Sequence, residues 1–451
     1  MKTAQRAQEA AHPVPGPTSR ATYTAEQAYL APGLQRIAQL SELTIERGYG
    51  STLVDTDGNE FLDFFAGVAV ASLGHSHPRY VKALQAQLEK SVVGSFTTAP
   101  RLQLLELLAS LAPGTLDRTQ LYSGGSEAVE AAIRLAKAHT KGFEVVGFWG
   151  GFHGKTGGVM GLIGDSWKRH WGPLQVGTHQ VPYADCYRCP LNTTYPGCGM
   201  ACVELAGKQL DVASAGAIAA VIVEPMQGTA GNVVPPPEFL PAVQALAKKH
   251  DALLIADEMI TGFGRTGRMF GVEHTGVEPD IMTIGKGFGG GFPVTGLIST
   301  DAITAAMPFA RPSSSSSSYG GNPLGATAAL ATVQTIVDEG LVENAARVGA
   351  VLLDGLRGLQ EKYRCIGDVR GVGLLIGMDL VVDRRTKEPL PGPVTEALFL
   401  AALRRGLLLM GYFSRVRINP PLVLTESEAG DGVAILDEVF GELEREGLLP
   451  A

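Results

Sequence analysis

Between residues 119 and 299 the chain repeats one rhythm, a short apolar run followed by a stretch with helical spacing. The runs are "TQLYS" (119–123), "EVVGFW" (144–149), "AAVIVEP" (219–225), "ALLIADE" (252–258), "DIMTIG" (280–285) and "VTGLIS" (294–299). Strands covered on both faces read as continuous apolar runs, and strands that alternate with helices tend to pair in parallel. The rhythm therefore predicts an α/β fold, a mostly parallel sheet with helices on both faces. In such sheets ligands bind beyond the carboxyl ends of the strands. The polar residues that follow each run are the first candidates for chemistry.

The flanks follow other patterns. "GYGSTLVDTDGNEFLDFFAG" (48–67) alternates apolar and polar residues around Asp57-Gly58, a strong hairpin signal. After about residue 330 a long helical stretch leads to "IGDVRGVGLLIGMDLV" and then "RVRINPPLVLTESEAGDGVAILDEVFGELERE", a strand and helix mixture. The expected organisation is a flexible arm over 1–25, the N-terminal part of a small lobe over 26–99, a large α/β domain over 100–330 and a C-terminal α+β domain over 331–451. The serine tract 313–318 is expected to be a mobile loop.

The net charge of −8 and the lack of a Lys/Arg stripe argue against a nucleic-acid partner. No apolar run has the length to span a bilayer, and the N-terminus lacks the apolar centre of a secretory signal. A cytoplasmic protein without a membrane partner is expected.

Four run ends carry polar groups. Glu224 follows "AVIV", Asp257 follows "LLIA", Lys286 follows "IMTIG", and "SGGSEAVEAAIRLAKAHT" (123–140) puts Gly125 and Ser126 at the start of an amphipathic helix. Each alone has an ordinary reading: a solvated lysine, a helix N-cap at Ser126. A P-loop is excluded, because Asp280 stands at its first glycine and Gly287 follows the lysine. Together, however, an amine, a buried carboxylate and a helix end for phosphate are what pyridoxal phosphate needs. The lysine forms a Schiff base, the carboxylate keeps the pyridine nitrogen protonated, and the helix N-terminus takes the phosphate.

"LLIADEMITGFGRTGRMFGVEHTGVEPDIMTIGKGFGGGFP" (253–293) closely resembles the signature of class III aminotransferases, the 4-aminobutyrate, ornithine and ω-amino acid group of fold type I. The resemblance runs from about residue 35 to the C-terminus. It implies that Lys286 carries the cofactor, Asp257 pairs with its ring nitrogen, Gly125 and Ser126 bind its phosphate, and Phe152 and His153 of "GGFHGK" contact it. It implies a homodimer or dimer of dimers with shared sites, Ser318 reaching the neighbour's phosphate. It also implies that Arg417 of "RVRINPPL" binds the substrate α-carboxylate, with Glu224 able to mask it.

Three positions depart from the pattern. Ile260 stands where members often carry Gln, and Lys155 stands where 4-aminobutyrate-type members hold a distal carboxylate with Arg. The C-terminal half is also similar to dialkylglycine decarboxylase, but Val68 and Phe152 replace that enzyme's Gln and Trp. The expected reaction is transfer of an amino group to pyruvate or 2-oxoglutarate; a phospho-lyase, racemase or decarboxylase on the same scaffold is the alternative. Phe65 and Val68 suggest an apolar donor pocket, and core packing explains them equally well.

Four of the five cysteines fall in "CYRCPLNTTYPGCGMAC": Cys186, Cys189, Cys198 and Cys202. The C-x2-C-x8-C-x3-C spacing makes them a structural zinc candidate, against the plainer reading of reduced loop thiols; no metal is expected in the chemistry itself. A metal-binding interaction protein built on this loop is the competing class, and it leaves Lys286, Asp257 and Arg417 unexplained.

Overall fold

The computed structural model describes residues 13–450. It divides into two units, Arg79–Val342 and a second assembled from both ends of the chain, Met1–Pro78 with Glu343–Ala451.

The larger unit is built on a seven-stranded sheet. Its strands are β1 (Arg118–Tyr122), β2 (Glu144–Phe148), β3 (Thr178–Val181), β4 (Ile218–Val223), β5 (Leu253–Asp257), β6 (Ile281–Ile284) and β7 (Thr295–Ser299). Their order across the sheet is β1-β7-β6-β5-β4-β2-β3. The pairs from β6 to β3 are parallel, and β7 runs antiparallel to both β6 and β1. Every residue of β2, β4, β6 and β7 is buried, as strands covered on both faces require.

Helix α1 (Gly125–Thr140) packs on this sheet through Ala128, Val129, Ala131, Ala132, Leu135 and Ala136. Those positions share one face at helical spacing. Lys141, in the left-handed conformation at φ 65°, ends the helix. Helices α2 (Ala201–Ala213) and α3 (Phe239–Lys249) precede β4 and β5. The expected large domain gains residues at both ends, 79–99 and 331–342, relative to the sequence-based boundaries.

In the second unit the strands Ile45–Tyr49, Thr52–Asp55 and Glu60–Asp63 form an antiparallel ladder, joined in parallel by Leu407–Leu408. The hairpin turns where expected: Asp55 accepts from the N–H groups of Asp57 and Asn59, and Gly58 takes φ 86°. A second sheet pairs Ile366–Val372 and Arg415–Ile418 with Leu375–Asp383.

Part of the expected arm is described, and it is helical. Pro17–Glu26 is a helix whose first N–H groups, Thr18 and Ser19, bond the two carboxylate oxygens of Asp57 at 2.9 and 2.8 Å. The hairpin residue thus caps the arm; residues 1–12 lie outside the described part.

Candidate active site

The carboxyl edge of the large sheet gathers the candidates of that unit. Asp257 is the last residue of β5, Glu224 follows β4, Lys286 stands two residues past β6, and the turn after β1 runs straight into α1. Sheet geometry makes this convergence, since parallel strands end on the same side.

Asp257 is the most heavily engaged. Its Oδ2 lies 2.6 Å from His153 Nδ1, and both side chains are only 1% exposed. Its Oδ1 accepts from the Met259 N–H and the Thr283 hydroxyl, each at 3.1 Å. Burial alone would raise the carboxyl pKa. The His153 hydrogen bond and charge, the Lys286 charge and the Met259 N–H outweigh it, so Asp257 stays below its ordinary value. His153 moves the other way: burial opposes its charge, and Asp257 overcomes that and raises it. The two shifts are mutual, each group favouring the charged form of the other.

The neighbouring Glu258 has a different task. It is pushed up to about 7 by burial, and it accepts from the N–H groups of Gly271 and Val272 and from the Thr261 hydroxyl. It fastens the segment after β5. Of the adjacent acids, Asp257 keeps its charge and Glu258 serves the backbone.

At the start of α1, Glu127 accepts from the N–H groups of Ser123 and Gly124, and the Thr295 hydroxyl donates to the Gly124 carbonyl at 3.0 Å. A Cβ built on Gly125 would meet only Met259, at 3.7 Å, so space stands open over the first turn. A helix cannot satisfy its own first-turn N–H groups. The loop after β2 passes close by: the Lys155 N–H donates to Ser126 Oγ, and a Cβ at Gly154, φ 126°, would sit 2.0 Å from that oxygen. The same loop is held by Glu224, which accepts from the N–H groups of Phe152 and Gly228 at 2.9 and 3.0 Å. Burial raises the Glu224 pKa. Beside it the Lys155 ammonium lies 5.1 Å from the Trp167 ring centre and 5.8 Å from that of Phe152.

Lys286 opens the short 3-10 turn Lys286–Gly289 with φ 45°, the left-handed region that a side chain other than glycine enters at a cost. At Gly285 a Cβ would press on the side chains of Met259 and Thr295, at 2.4 and 3.0 Å, so the glycine lets both close over the backbone. An amine, a buried ionised carboxylate and an open helix N-terminus on one sheet edge fit pyridoxal phosphate by the chemistry of the donor set. Ile260, at the position where a Gln was noted as common, packs on Gly228 instead, and offers no hydrogen bond.

Other candidates lie elsewhere. Ser318 is exposed on the serine tract, which is anchored: the Tyr122 hydroxyl donates to the carbonyl of buried Ser315 at 2.9 Å. Arg417, Phe65 and Val68 belong to the second unit. Arg417 stands on the strand Arg415–Ile418, its N–H bonded to the Met410 carbonyl. Phe65 and Val68 pack on a core of Phe61, Phe399 and Tyr412, as the core-packing account expects. Ala66 through Ala69 all have φ between 47° and 66°, a left-handed turn whose start is held by Asp63 Oδ1 accepting from the Phe65 and Ala66 N–H groups. The four loop cysteines line one small cavity, yet among the described residues no group of three or more His, Cys, Asp or Glu is arranged to hold a metal ion. Thr283 and Trp167 carry roles the motifs did not single out.

Sheet order and donor set define a pyridoxal-phosphate-dependent transferase of fold type I. The chain belongs to the class-III aminotransferases, whose family model matches residues 35–440. It is 35% identical to a 5-aminovalerate aminotransferase of Pseudomonas aeruginosa over 90% of this chain and 95% of that protein. It is 34% identical to a leucine/methionine racemase of Thermococcus litoralis, over 86% and 88%. Among solved structures it resembles an amine transaminase from an uncultivated Pseudomonas species in its pyridoxal-phosphate-bound form, with a TM-score of 0.85, 32% identity, and coverage of 92% of this chain and 98% of that one.

Proposed function

We propose that this aminotransferase moves an amino group from an amine or ω-amino acid to a keto acid, taking pyruvate at least as well as 2-oxoglutarate. The carrying observation is Lys286, held in a left-handed turn, whose charge acts on a buried Asp257 that His153 keeps ionised. When bound, the cofactor supplies an aldehyde that carries the amino group and a pyridinium ring that accepts electrons. Lys286 would hold it, and its Nζ would serve as the general acid/base that takes the proton from the amine-bearing carbon of the donor. Asp257 would keep the proton on the ring nitrogen. Gly125 and Ser126 would hold the phosphate through the α1 N-terminus, Phe152 would contact the ring, and Arg417 would clamp an α-carboxylate.

Lys155 supports the acceptor preference. Its ammonium rests on two aromatic faces and is a point charge, so it makes a poor planar fork for a second carboxylate. In this reading the enzyme is a cytoplasmic homodimer or dimer of dimers, and exposed Ser318 serves the neighbour's phosphate. Racemisation is the second reading, favoured by the 34% identity to a racemase.

One experiment separates them. The yellow enzyme is mixed with a panel of amines and amino acids, and the spectrum of the cofactor and the chirality of the amino acid are followed without keto acid. Conversion to the pyridoxamine form by ω-amino donors is expected, together with loss of the Schiff-base absorbance in Lys286→Ala. Loss of chirality of leucine with no net change of cofactor form refutes transfer as the main reaction.

A further inference from the structure

The segment between β3 and α2 carries chemistry that amino-group transfer does not use. Cys186, Cys189, Cys198 and Cys202 line one cavity of about 20 Å³, with Tyr183, Asp185 and Thr193 among its other walls. That volume holds one water-sized sphere. The fifth cysteine, Cys365, is buried in the other unit. Tyr187 and Arg188 form the turn between Cys186 and Cys189. A four-residue turn brings its end Cα atoms within about 7 Å, and a disulfide spans about 4.4–6.8 Å.

We propose that this loop is a thiol–disulfide exchange site for low-molecular-weight disulfides, with Cys189 as the attacking sulfur and Cys186 as the resolving one. The two sulfurs have different surroundings. Cys189 is partly exposed, and its Sγ lies 3.3 Å from the Thr193 hydroxyl. Burial opposes its ionisation, but that hydroxyl and the N–H groups of Thr193, Leu191 and Asn192 together hold the thiol below its ordinary value. Cys186 is exposed at the residue level, yet its thiol is pushed up to about 11 by burial of the sulfur and by the neighbouring Cys202, Cys198 and Cys189. One sulfur is therefore available as a nucleophile while the other keeps its proton.

The steps balance. Cys189 Sγ bonds to one sulfur of the reagent, whose S–S bond breaks and releases a thiolate. Cys186 then loses its proton, bonds to Cys189 Sγ and expels the second thiolate. Two protein thiols are oxidised, and the reagent gains two electrons and two protons as two thiols. Such transient disulfides are the kind found in reducing compartments. Tyr183 joins the loop to the reaction edge, its hydroxyl donating to the carbonyls of Glu224 and Pro225 at 3.1 and 3.3 Å.

The test uses the purified holoenzyme and glutathione disulfide near neutral pH, with alkylation of remaining thiols. Trypsin cuts after Arg188, so Cys186 and Cys189 fall on separate peptides, 170–188 and 189–208. The expected product joins these peptides through Cys186 and Cys189 while Cys198 and Cys202, on the second peptide, are found alkylated; the intact mass falls by two hydrogens, and dithiothreitol restores both. Cys186→Ser should stop at a glutathione adduct on Cys189, and Cys189→Ser should slow the reaction by roughly tenfold or more. Three results overturn the proposal: no loss of loop thiols, a bond from Cys189 to Cys198 or Cys202 instead, or one zinc per chain that shields all four thiols from the reagent.

Discussion

Replacing His153 by Ala tests whether it is what keeps Asp257 charged. The substitution leaves Oδ2 of a carboxylate that is 1% exposed without its 2.6 Å partner, while Oδ1 keeps Met259 and Thr283. Removing one member of a buried pair costs about 3–5 kcal/mol. At about 2.1 cal/mol/K per residue, the ~260 residues of the larger unit unfold with roughly 0.55 kcal/mol/K, so the midpoint should fall by about 5–9 °C. Calorimetry on cofactor-stripped protein avoids the stabilisation that bound ligand adds. Asp257→Ala and the double variant complete a cycle, with an expected coupling of about 2–3 kcal/mol.

The pH dependence carries a sign. Asp257 is lowered in the fold, so its contribution is present above 3.8 and lost as pH falls through the lower folded value. His153 is raised, so its contribution is complete below 6.5 and lost as pH rises through the higher folded value. Both are whole between 3.8 and 6.5, and the coupling should shrink as pH rises through the raised His153 value or falls through the lowered Asp257 value. A midpoint loss below about 2 °C, or energies that simply add, refutes the pairing as the source of Asp257's charge.

Three further outcomes are expected. Lys155→Arg should raise kcat/KM for 2-oxoglutarate relative to pyruvate by roughly threefold or more, because a planar fork replaces a point charge; an unchanged ratio removes Lys155 from acceptor choice. Mixing Lys286→Ala with Ser318→Ala subunits should give heterodimers more active than either parent, since one site is then intact; confirmed heterodimers without recovery would exclude Ser318 from a partner's site. Gly67→Ala should destabilise by about 1–2 kcal/mol through the backbone alone, as φ is 63° and the new Cβ meets only Val70 at 3.6 Å; a neutral result in chemical denaturation would mean that the left-handed turn is not strained.

The legible parts of the chain are those with a local signature. Six apolar runs announce six strands; five are buried along nearly their whole length, while Arg118–Tyr122, at one edge of the sheet, is buried only at Leu121 and Tyr122. The seventh, Thr178–Val181, sits at the sheet edge, carries His179 and Gln180, and is only partly covered, so no run marks it. The antiparallel course of β7 is likewise invisible, since an apolar run has no direction. Lys286 and Asp257 follow strands and are marked by a long motif. The His153–Asp257 bond joins residues 104 apart and has no local pattern. Thr283 does leave a trace, a lone hydroxyl inside an apolar strand, and its partner is Asp257. Pro17–Glu26 is missed because its cap is supplied from Asp57, well outside any local window.

The second unit draws one core from the two ends of the chain: Phe61 packs with Phe399, Leu403 and Leu408. On the ribosome these partners emerge far apart in time. At about 5–20 residues per second, Phe61 waits roughly 17–70 s for Phe399. The larger unit, continuous in sequence, has all its residues before that wait ends. Until then the strand Glu60–Asp63 has no Leu407–Leu408 beside it, and its apolar side faces solvent or a chaperone. A nascent chain stalled near residue 390, with Val342 out of the exit tunnel and Phe399 not yet made, should therefore present a protease-resistant body from Arg79 to Val342 with a cleavable N-terminal segment, the order of vulnerability being set by translation rather than by stability.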